Sequence, residues 1–368
     1  MRPFFHLKLI SVLSLLFAVI VGLVLLGPSI LVTHAVGISL KVSPKSEAIS
    51  ASSTSSCGAW NIIPSPNPGQ GNNALYGVAA ISTRSVWAVG TSQNNGVGTP
   101  QTLIEHWDGT SWSVASSPNP GTSNNILYAA TRVPATSQVW AVGVYNNNGL
   151  NLTLIEHWDG TSWSVVSSPN PGSQFNVLYG VTAISANNAW AVGNYTSTSN
   201  GPNLTLIEHW NGTSWQVVSS PNPGSQYNYL NGAIAVSGSN AWVVGTYQSS
   251  NSSSNLQTLT ERWNGKKWSV VLSPSPGSWN NSFSSVARVP GTNQLWAVGI
   301  TSNSDYQNNL TLIEHWDGTS WSVVSSPTVG TSYSYLEEIA RVPGTSHVWA
   351  VGFYNTNSGT QTLIEFYC

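Results

Sequence analysis

Charged residues are scarce in this sequence. The 368-residue chain has 11 basic and 13 acidic side chains, 7 % of its residues, whereas about a quarter of an ordinary domain is charged. Four of the bases (Arg2, Lys8, Lys41 and Lys45) precede residue 50, which leaves seven bases and twelve acids from residue 51 on. Because such a region cannot supply a dense row of phosphate contacts, nucleic acid is excluded as the expected partner.

Cysteine is nearly absent, with Cys57 and Cys368 the two in the chain. Neither is accompanied by the His and Asn or Asp pattern of a thiol enzyme. The sequence has no dense Cys/His cluster and no spaced Asp pattern for a metal. We therefore predict no catalytic residue, no metal site and no cofactor. The abundant residues are Asn, Ser, Thr, Gly, Val and Trp, which favour short strands and turns.

The one long apolar run lies at the N-terminus, at Leu9–Gly27, behind a basic flank. Residues 1–35 are predicted to be a signal peptide or a retained membrane anchor, a hydrophobic helix outside the fold. Residues 36–56 are a Ser-rich linker. In both cases the rest of the chain is exported, either secreted or anchored to the outer face of the cytoplasmic membrane. Contact with the membrane is expected only through this N-terminal segment.

Six internal repeats fill the exported part. Thr-Leu-Ile-Glu, or Thr-Leu-Thr-Glu in one copy, recurs at intervals of 51, 52, 53, 53 and 51 residues. A second string is Trp-Ala-Val-Gly, and a third is "SWSVVSSPNPG". The Thr-Leu strings begin at Thr102, Thr153, Thr205, Thr258, Thr311 and Thr362.

Each period contains four short strand-like runs, which predicts an all-β fold: a six-bladed β-propeller over residues 57–368, with four strands per blade. The chain enters the array in a fourth-strand sequence and leaves it in a third-strand sequence. Pairing of Ala59–Ile63 with Gln361–Tyr367 would complete the last blade and leave no open edge.

The two cysteines flank the break in this last blade. Aligned on the repeats, Cys368 takes the place of Asp108, and Cys57 that of Gly109. We therefore predict a Cys57–Cys368 disulfide, because the two positions are expected to lie within the range that a disulfide spans and export favours its formation.

A Glu recurs once per repeat and has two interpretations. It is a structural carboxylate that accepts hydrogen bonds from a neighbouring strand or loop, or it belongs to one of six equivalent ligand pockets between blades, each with Trp faces. The series comprises Glu105, Glu156, Glu208, Glu261, Glu314 and Glu365.

Long loops rich in Asn, Ser, Gly and Tyr are predicted on one face of the disc. Such a mixture combines adaptable hydrogen bonding with rigid aromatic contact, although polar loops without a partner have the same composition. The candidate contact residues are Tyr145, Tyr195, Tyr247, Tyr306 and Tyr354.

The repeated strings resemble those of bacterial exported β-propeller proteins, usually described as kelch-like or galactose-oxidase-like, over Gly58–Cys368. "LIEHWDGTSW" is also similar to strings of six-bladed fucose-binding lectins. The chain lacks the Gly-Gly doublet of kelch repeats, and the Tyr, His and Cys copper ligands of galactose oxidase cannot be assembled from it.

We expect an exported, monomeric, non-catalytic binding module that recognises glycan or protein at the cell surface, through the long-loop face or the pockets between blades. Two alternatives remain. One is a propeller enzyme, a polysaccharide lyase or hydrolase with its active site in the central channel. Its candidate acids would be Glu337 and Glu338, the one acidic doublet, on the innermost strand of the last blade. The other alternative is a purely structural envelope protein.

Overall fold

The computed structural model of the chain describes residues 63–367, apart from 94–97, 200, 249–254, 290, 304–308, 328–333, 342–347 and 357–358. Pro64–Cys368 form one compact unit, and Met1–Ile63 are assigned to another. The predicted signal or anchor, the linker, both cysteines and all of the predicted closing strand except Ile63 lie outside the described residues. Within the described part no helix is long and apolar enough to cross a membrane.

Every repeat forms an antiparallel sheet in which consecutive strands are neighbours. Repeat 1 contains β1 (Asn73–Ser82), β2 (Ser85–Ser92), β3 (Gln101–Trp107) and β4 (Trp112–Ala115); repeat 2 contains β5 (Asn125–Arg132), β6 (Val139–Asn147), β7 (Leu150–Trp158) and β8 (Trp163–Val165); repeat 3 contains β9 (Phe175–Ser185), β10 (Asn188–Thr196), β11 (Asn203–Trp210) and β12 (Trp215–Val217).

The remaining strands follow the same order. Repeat 4 contains β13 (Asn228–Ser237), β14 (Asn240–Gln248), β15 (Leu256–Trp263) and β16 (Trp268–Val270); repeat 5 contains β17 (Asn280–Arg288), β18 (Leu295–Ser302), β19 (Leu310–Trp316) and β20 (Trp321–Val324); repeat 6 contains β21 (Ser334–Arg341), β22 (Val348–Thr356) and β23 (Gly359–Tyr367). One parallel pair, Asn151 with Phe175, joins the sheets of repeats 2 and 3.

The Asp-Gly-Thr-Ser strings close the hairpins between third and fourth strands. Asp108 Oδ1 accepts hydrogen bonds from the backbone N of Thr110 at 2.7 Å and of Ser111 at 2.9 Å. Gly109 has a φ of 101°, which a side chain would disfavour. The Thr110 hydroxyl donates to the same oxygen at 2.7 Å. This bond first, and then the two backbone bonds, hold the pKa of the exposed Asp108 carboxyl near 2, because they favour its ionised form.

Five apolar clusters hold consecutive sheets together, one at each junction from repeats 1 and 2 to repeats 5 and 6. The Trp of the second strand packs on two Trp rings of the next repeat: Trp140 lies 5.0 Å from Trp210 and 5.2 Å, edge-on, from Trp215. These aromatic contacts add to the burial of apolar area. The expected all-β fold of repeated, packed sheets is confirmed.

The two ends of the array behave differently from the five junctions. Among the described residues no cluster joins repeat 6 to repeat 1. Leu75 of β1 is 42 % exposed, whereas its counterpart Leu127 in repeat 2 is fully buried. Ile364 of β23 is 44 % exposed, whereas its counterpart Ile104 is 1 % exposed. The described residues thus leave two apolar end faces uncovered.

Candidate functional site

A β-bulge interrupts the first strand of every repeat at the same position. In β1 the register of the pairing with β2 shifts between Leu75 and Gly77 and skips Tyr76. Bulges of this kind re-aim side chains and are frequent beside active sites. The residues at the bulge, which we call the bulge series, are Tyr76, Tyr128, Tyr179, Asn231, Ser284 and Glu337.

The bulge series faces the inner surface shared by the first strands. The preceding residue, such as Leu127 or Leu178, is fully buried in the cluster between two sheets. The bulge side chains are half-buried, and they contact one another from strand to strand. Tyr128 lies 5.8 Å from Tyr76 and 5.2 Å from Tyr179, measured between ring centroids.

The inner surface has an aromatic part and an acidic part. Tyr76, Tyr128 and Tyr179 belong to repeats 1–3, and burial raises the pKa of all three hydroxyls. They are therefore neutral groups that can donate hydrogen bonds. Asn231 links two first strands, since its Nδ2 donates to the backbone O of Phe283 at 2.7 Å.

Glu337 and Glu338 form the acidic part, on β21. Burial and, to a lesser degree, the neighbouring charge of Glu338 together raise the pKa of Glu337 to about 7. Burial also raises the pKa of Glu338, but hydrogen bonds from the Ser285 hydroxyl and from the backbone N of Ile339 at 3.1 Å oppose that shift. The Glu338 side chain still has solvent-accessible surface, although many protein atoms lie around its carboxyl group. One carboxyl is thus poised to stay protonated near neutrality, while its neighbour is supplied with donors that favour ionisation.

The Glu predicted once per repeat lies between sheets rather than on the inner surface. Glu156 is fully buried and accepts a hydrogen bond from the Ser117 hydroxyl at 3.1 Å. Ser117 Oγ also lies 2.7 Å from Thr102 Oγ1, so the crossover string "SSPNPG" connects the Thr of one repeat to the Glu of the next. Ser326 and Glu365 repeat this contact at 2.8 Å.

Burial dominates the electrostatics of this Glu series. It raises the pKa of four members to about 8: Glu156, Glu208, Glu261 and Glu314. The pKa values of Glu105 and Glu365 are raised as well, against hydrogen bonds from Ser65 and Ser326 that lower them. Glu261 and Glu314 have no hydrogen-bond partner among the described residues. A ligand-binding role for the series stays a prediction.

The predicted contact tyrosines lie at the ends of second strands. Tyr145, Tyr195, Tyr247 and Tyr354 pack against the apolar clusters between sheets. Tyr306 lies outside the described residues. Their contact with a ligand stays a prediction.

The His residues that follow the Glu series stack on Trp. His157 lies 4.2 Å from Trp140 of the same repeat, and in repeat 4 the guanidinium of Arg262 takes that place, 5.4 Å from Trp242. In the part of the chain that the structure describes, no group of three His, Cys, Asp or Glu side chains is arranged to hold a metal ion.

The aromatic part of the bulge series did not emerge from the sequence analysis. Its signal is present in the sequence: Leu-Tyr-Gly at Leu75, Leu-Tyr-Ala at Leu127 and Leu-Tyr-Gly at Leu178 occupy one position of three successive repeats. The position of these Tyr side chains can be predicted only if the bulge is known. Without the bulge, strict alternation along the strand would place each Tyr in a junction between sheets.

Known protein structures share this fold. The α-L-arabinofuranosidase Arb93A of Fusarium graminearum is 11 % identical, with a TM-score of 0.50, over 83 % of this chain and 96 % of that one. An α-L-arabinanase of Penicillium chrysogenum is 10 % identical, with a TM-score of 0.51, over 80 % of this chain and 93 % of that one. No protein-family model and no curated protein sequence matches the chain.

These comparisons correct two expectations. At such low identity they show the fold alone, an all-β propeller-like one, and they do not show a kelch-like family. The proteins that share the fold are enzymes by name, an α-L-arabinofuranosidase and an α-L-arabinanase. The predictions of a non-catalytic binding module and of a protein that is not an enzyme are therefore wrong, and the comparison favours the enzyme alternative.

Proposed function

We propose that this protein is a glycoside hydrolase that acts on polysaccharide, with Glu337 and Glu338 as its acid–base pair. The observation that carries the proposal is the pair of adjacent carboxyl groups at the β21 bulge, which interact electrostatically and of which one has a pKa raised to about 7. Glycosidic bond cleavage needs one protonated and one ionised carboxyl group. Environments that separate the pKa values of two such groups mark acid and base.

The surroundings of the pair support one division of roles. Glu337 keeps its proton up to about pH 7 and donates it to the glycosidic oxygen as the bond to the anomeric carbon breaks. Glu338, held by the Ser285 hydroxyl and the backbone N of Ile339, is the ionised partner. It takes a proton from the attacking water, or attacks the anomeric carbon itself to form an ester that water then hydrolyses.

Arabinose-containing glycans are the first substrates to test. The relatives that share the fold are named arabinofuranosidase and arabinanase, and the inner surface offers neutral tyrosines together with carboxyl groups. An exported enzyme would meet such polysaccharides outside the cell. Export, through the N-terminal 35 residues, belongs to this proposal.

We also propose that the repeats form a closed, six-bladed ring in a monomer. The end faces support this, since Leu75 at one end and Val351 at the other are exposed, while their counterparts in the other repeats are fully buried. Packing one face on the other would repeat an interface that the fold already uses five times. Residues 59–63, as the fourth strand of the last blade, and a Cys57–Cys368 disulfide would complete it.

Release of reducing sugar from arabinan tests the function. The full chain is expected to release sugar, and Glu337→Gln to lower kcat at least 100-fold, since general acid catalysis contributes roughly 10²–10⁴-fold. Asp317→Asn is the control: it removes an exposed carboxyl group from the hairpin of repeat 5, at a position where repeats 3 and 4 carry Asn, and should retain activity. Equal activity of Glu337→Gln and wild type on a substrate that the protein cleaves would overturn the assignment.

A further inference from the structure

The tyrosines of the bulge series form a continuous aromatic strip on three neighbouring strands. The ring centroids of Tyr76, Tyr128 and Tyr179 are 5.8 and 5.2 Å apart, with interplanar angles of 47° and 40°. The strip therefore extends from β1 through β5 to β9.

The backbone beneath the strip is packed too closely to adjust. A Cβ atom on Gly77 would lie 2.7 Å from the Cα of Ala129, and one on Gly180 would lie 2.8 Å from the backbone O of Asn231. Because small residues follow Tyr76, Tyr128 and Tyr179, neighbouring first strands approach each other directly. The aromatic rings are thus fixed at the spacing of these strands, and binding would require little reordering.

The aromatic and uncharged side chains of the strip favour a neutral sugar as ligand. Aromatic faces with a few fixed polar groups are typical of sites for small molecules, and the C–H faces of sugar rings pack on them. The hydroxyls of the strip are neutral, and the bulge series contains no basic residue to pair with a carboxylate or sulfate. Glu338, the ionised carboxyl group of the proposed pair, would repel an anionic sugar.

We infer that Tyr76, Tyr128 and Tyr179 form a stacking platform that binds the sugar units of a neutral glycan and carries the chain across the inner surface toward Glu337. Only the choice of glycan as ligand rests on the proposed function. The platform gives three aromatic residues in repeats 1–3 a role in positioning the substrate. The acidic residues of repeat 6 would carry out the chemistry.

The test is a binding experiment that does not require turnover. Linear arabino-oligosaccharides of two to six units are titrated into the full chain carrying Glu337→Gln, with affinity measured by calorimetry. Affinity should rise with the number of units. Adding Tyr128→Ala should weaken binding at least tenfold, whereas Tyr128→Phe, which keeps the ring, should stay within threefold. Oligogalacturonides of the same length, which are anionic, should bind at least tenfold more weakly.

A purely structural role for the strip gives different results. Trp210→Ala serves as the control, because it removes a half-buried aromatic ring from the third strand of repeat 3. It should lower the melting temperature and leave affinity unchanged. If Tyr128→Ala behaves like Trp210→Ala, or if no oligosaccharide binds, the platform is refuted. Tyr-dependent binding without hydrolysis by the wild type would instead refute the proposed enzyme and leave the platform standing.

Discussion

Replacing Glu261 with glutamine is expected to stabilise the protein at neutral pH, by an amount that grows with pH. Glu261 is fully buried between the sheets of repeats 3 and 4, and neither carboxyl oxygen has a hydrogen-bond partner among the described residues. Burial raises its pKa from 4.5 to about 8. Glutamine has nearly the same shape as the protonated carboxyl group and never ionises.

The sign follows from proton linkage. Between pH 4.5 and 8 the folded protein keeps the proton on Glu261 while the unfolded chain loses it. The free energy of unfolding must then fall as pH rises, by about 1.4 kcal/mol per pH unit for each such group. This stability is fully present below pH 4.5 and is lost as pH rises toward 8. At pH 7 the loss for one group is about 3 kcal/mol, an order-of-magnitude figure.

Urea unfolding at pH 5, 6, 7 and 8 measures this dependence. Wild-type stability should fall steeply over the series, because Glu156, Glu208 and Glu314 share the raised pKa. Glu261→Gln should reduce the slope by about 1.4 kcal/mol per pH unit. Asp108→Asn is the matched control: repeats 3 and 4 carry Asn at this position, and the pKa of Asp108 lies near 2. A wild-type stability that is flat or rises from pH 5 to 8 would refute the reasoning.

Two further predictions concern packing and closure. Gly193→Ala should prevent folding or lower the melting temperature by more than 10 °C, roughly the effect of several kcal/mol. The reason is that the new Cβ would lie 1.9 Å from the backbone O of Val177. Gly238→Ala is the control: its Cβ would lie 3.7 Å from the nearest atom, so the melting temperature in the same thermal scan should not change. If the ring is closed, Leu75→Asp places a charge in a buried junction and should lower the melting temperature far more than Val114→Asp. The two side chains are similarly exposed in the described residues, at 42 % and 47 %. Equal melting temperatures of the two variants would show that the end faces do not meet.

The sequence predicts the strand order well because each strand has a periodic, repeated sequence. The Trp-Ala-Val-Gly strings lie in second strands between two neighbouring sheets, and the residues of the first such string are buried. The Asp-Gly-Thr-Ser strings form the hairpins, as their turn chemistry predicts. Closure of the ring is inferred from the repeats, which begin in a fourth-strand sequence and end in a third-strand sequence. The predicted closing strand, except Ile63, lies outside the described residues.

The candidate site was harder to predict, for a physical reason. Repetition makes the Glu series conspicuous, and five of its six members are fully buried, whereas the inner surface differs from repeat to repeat. At one bulge position the chain carries Tyr three times and then Asn, Ser and Glu. Alternation alone cannot assign a bulged residue to a face. Glu337 and Glu338 were recognised as an acidic doublet, but their electrostatic asymmetry depends on Ser285 of the preceding repeat.

The most direct test of the proposed enzyme is the pH dependence of kcat/KM on arabinan. If Glu337 is the general acid, activity should decline above pH 7 with an apparent pKa near that of its carboxyl group, about 7, and Glu337→Gln should abolish this limb together with most of the rate. A cleavage activity whose alkaline limb and magnitude are unchanged in Glu337→Gln would contradict the account.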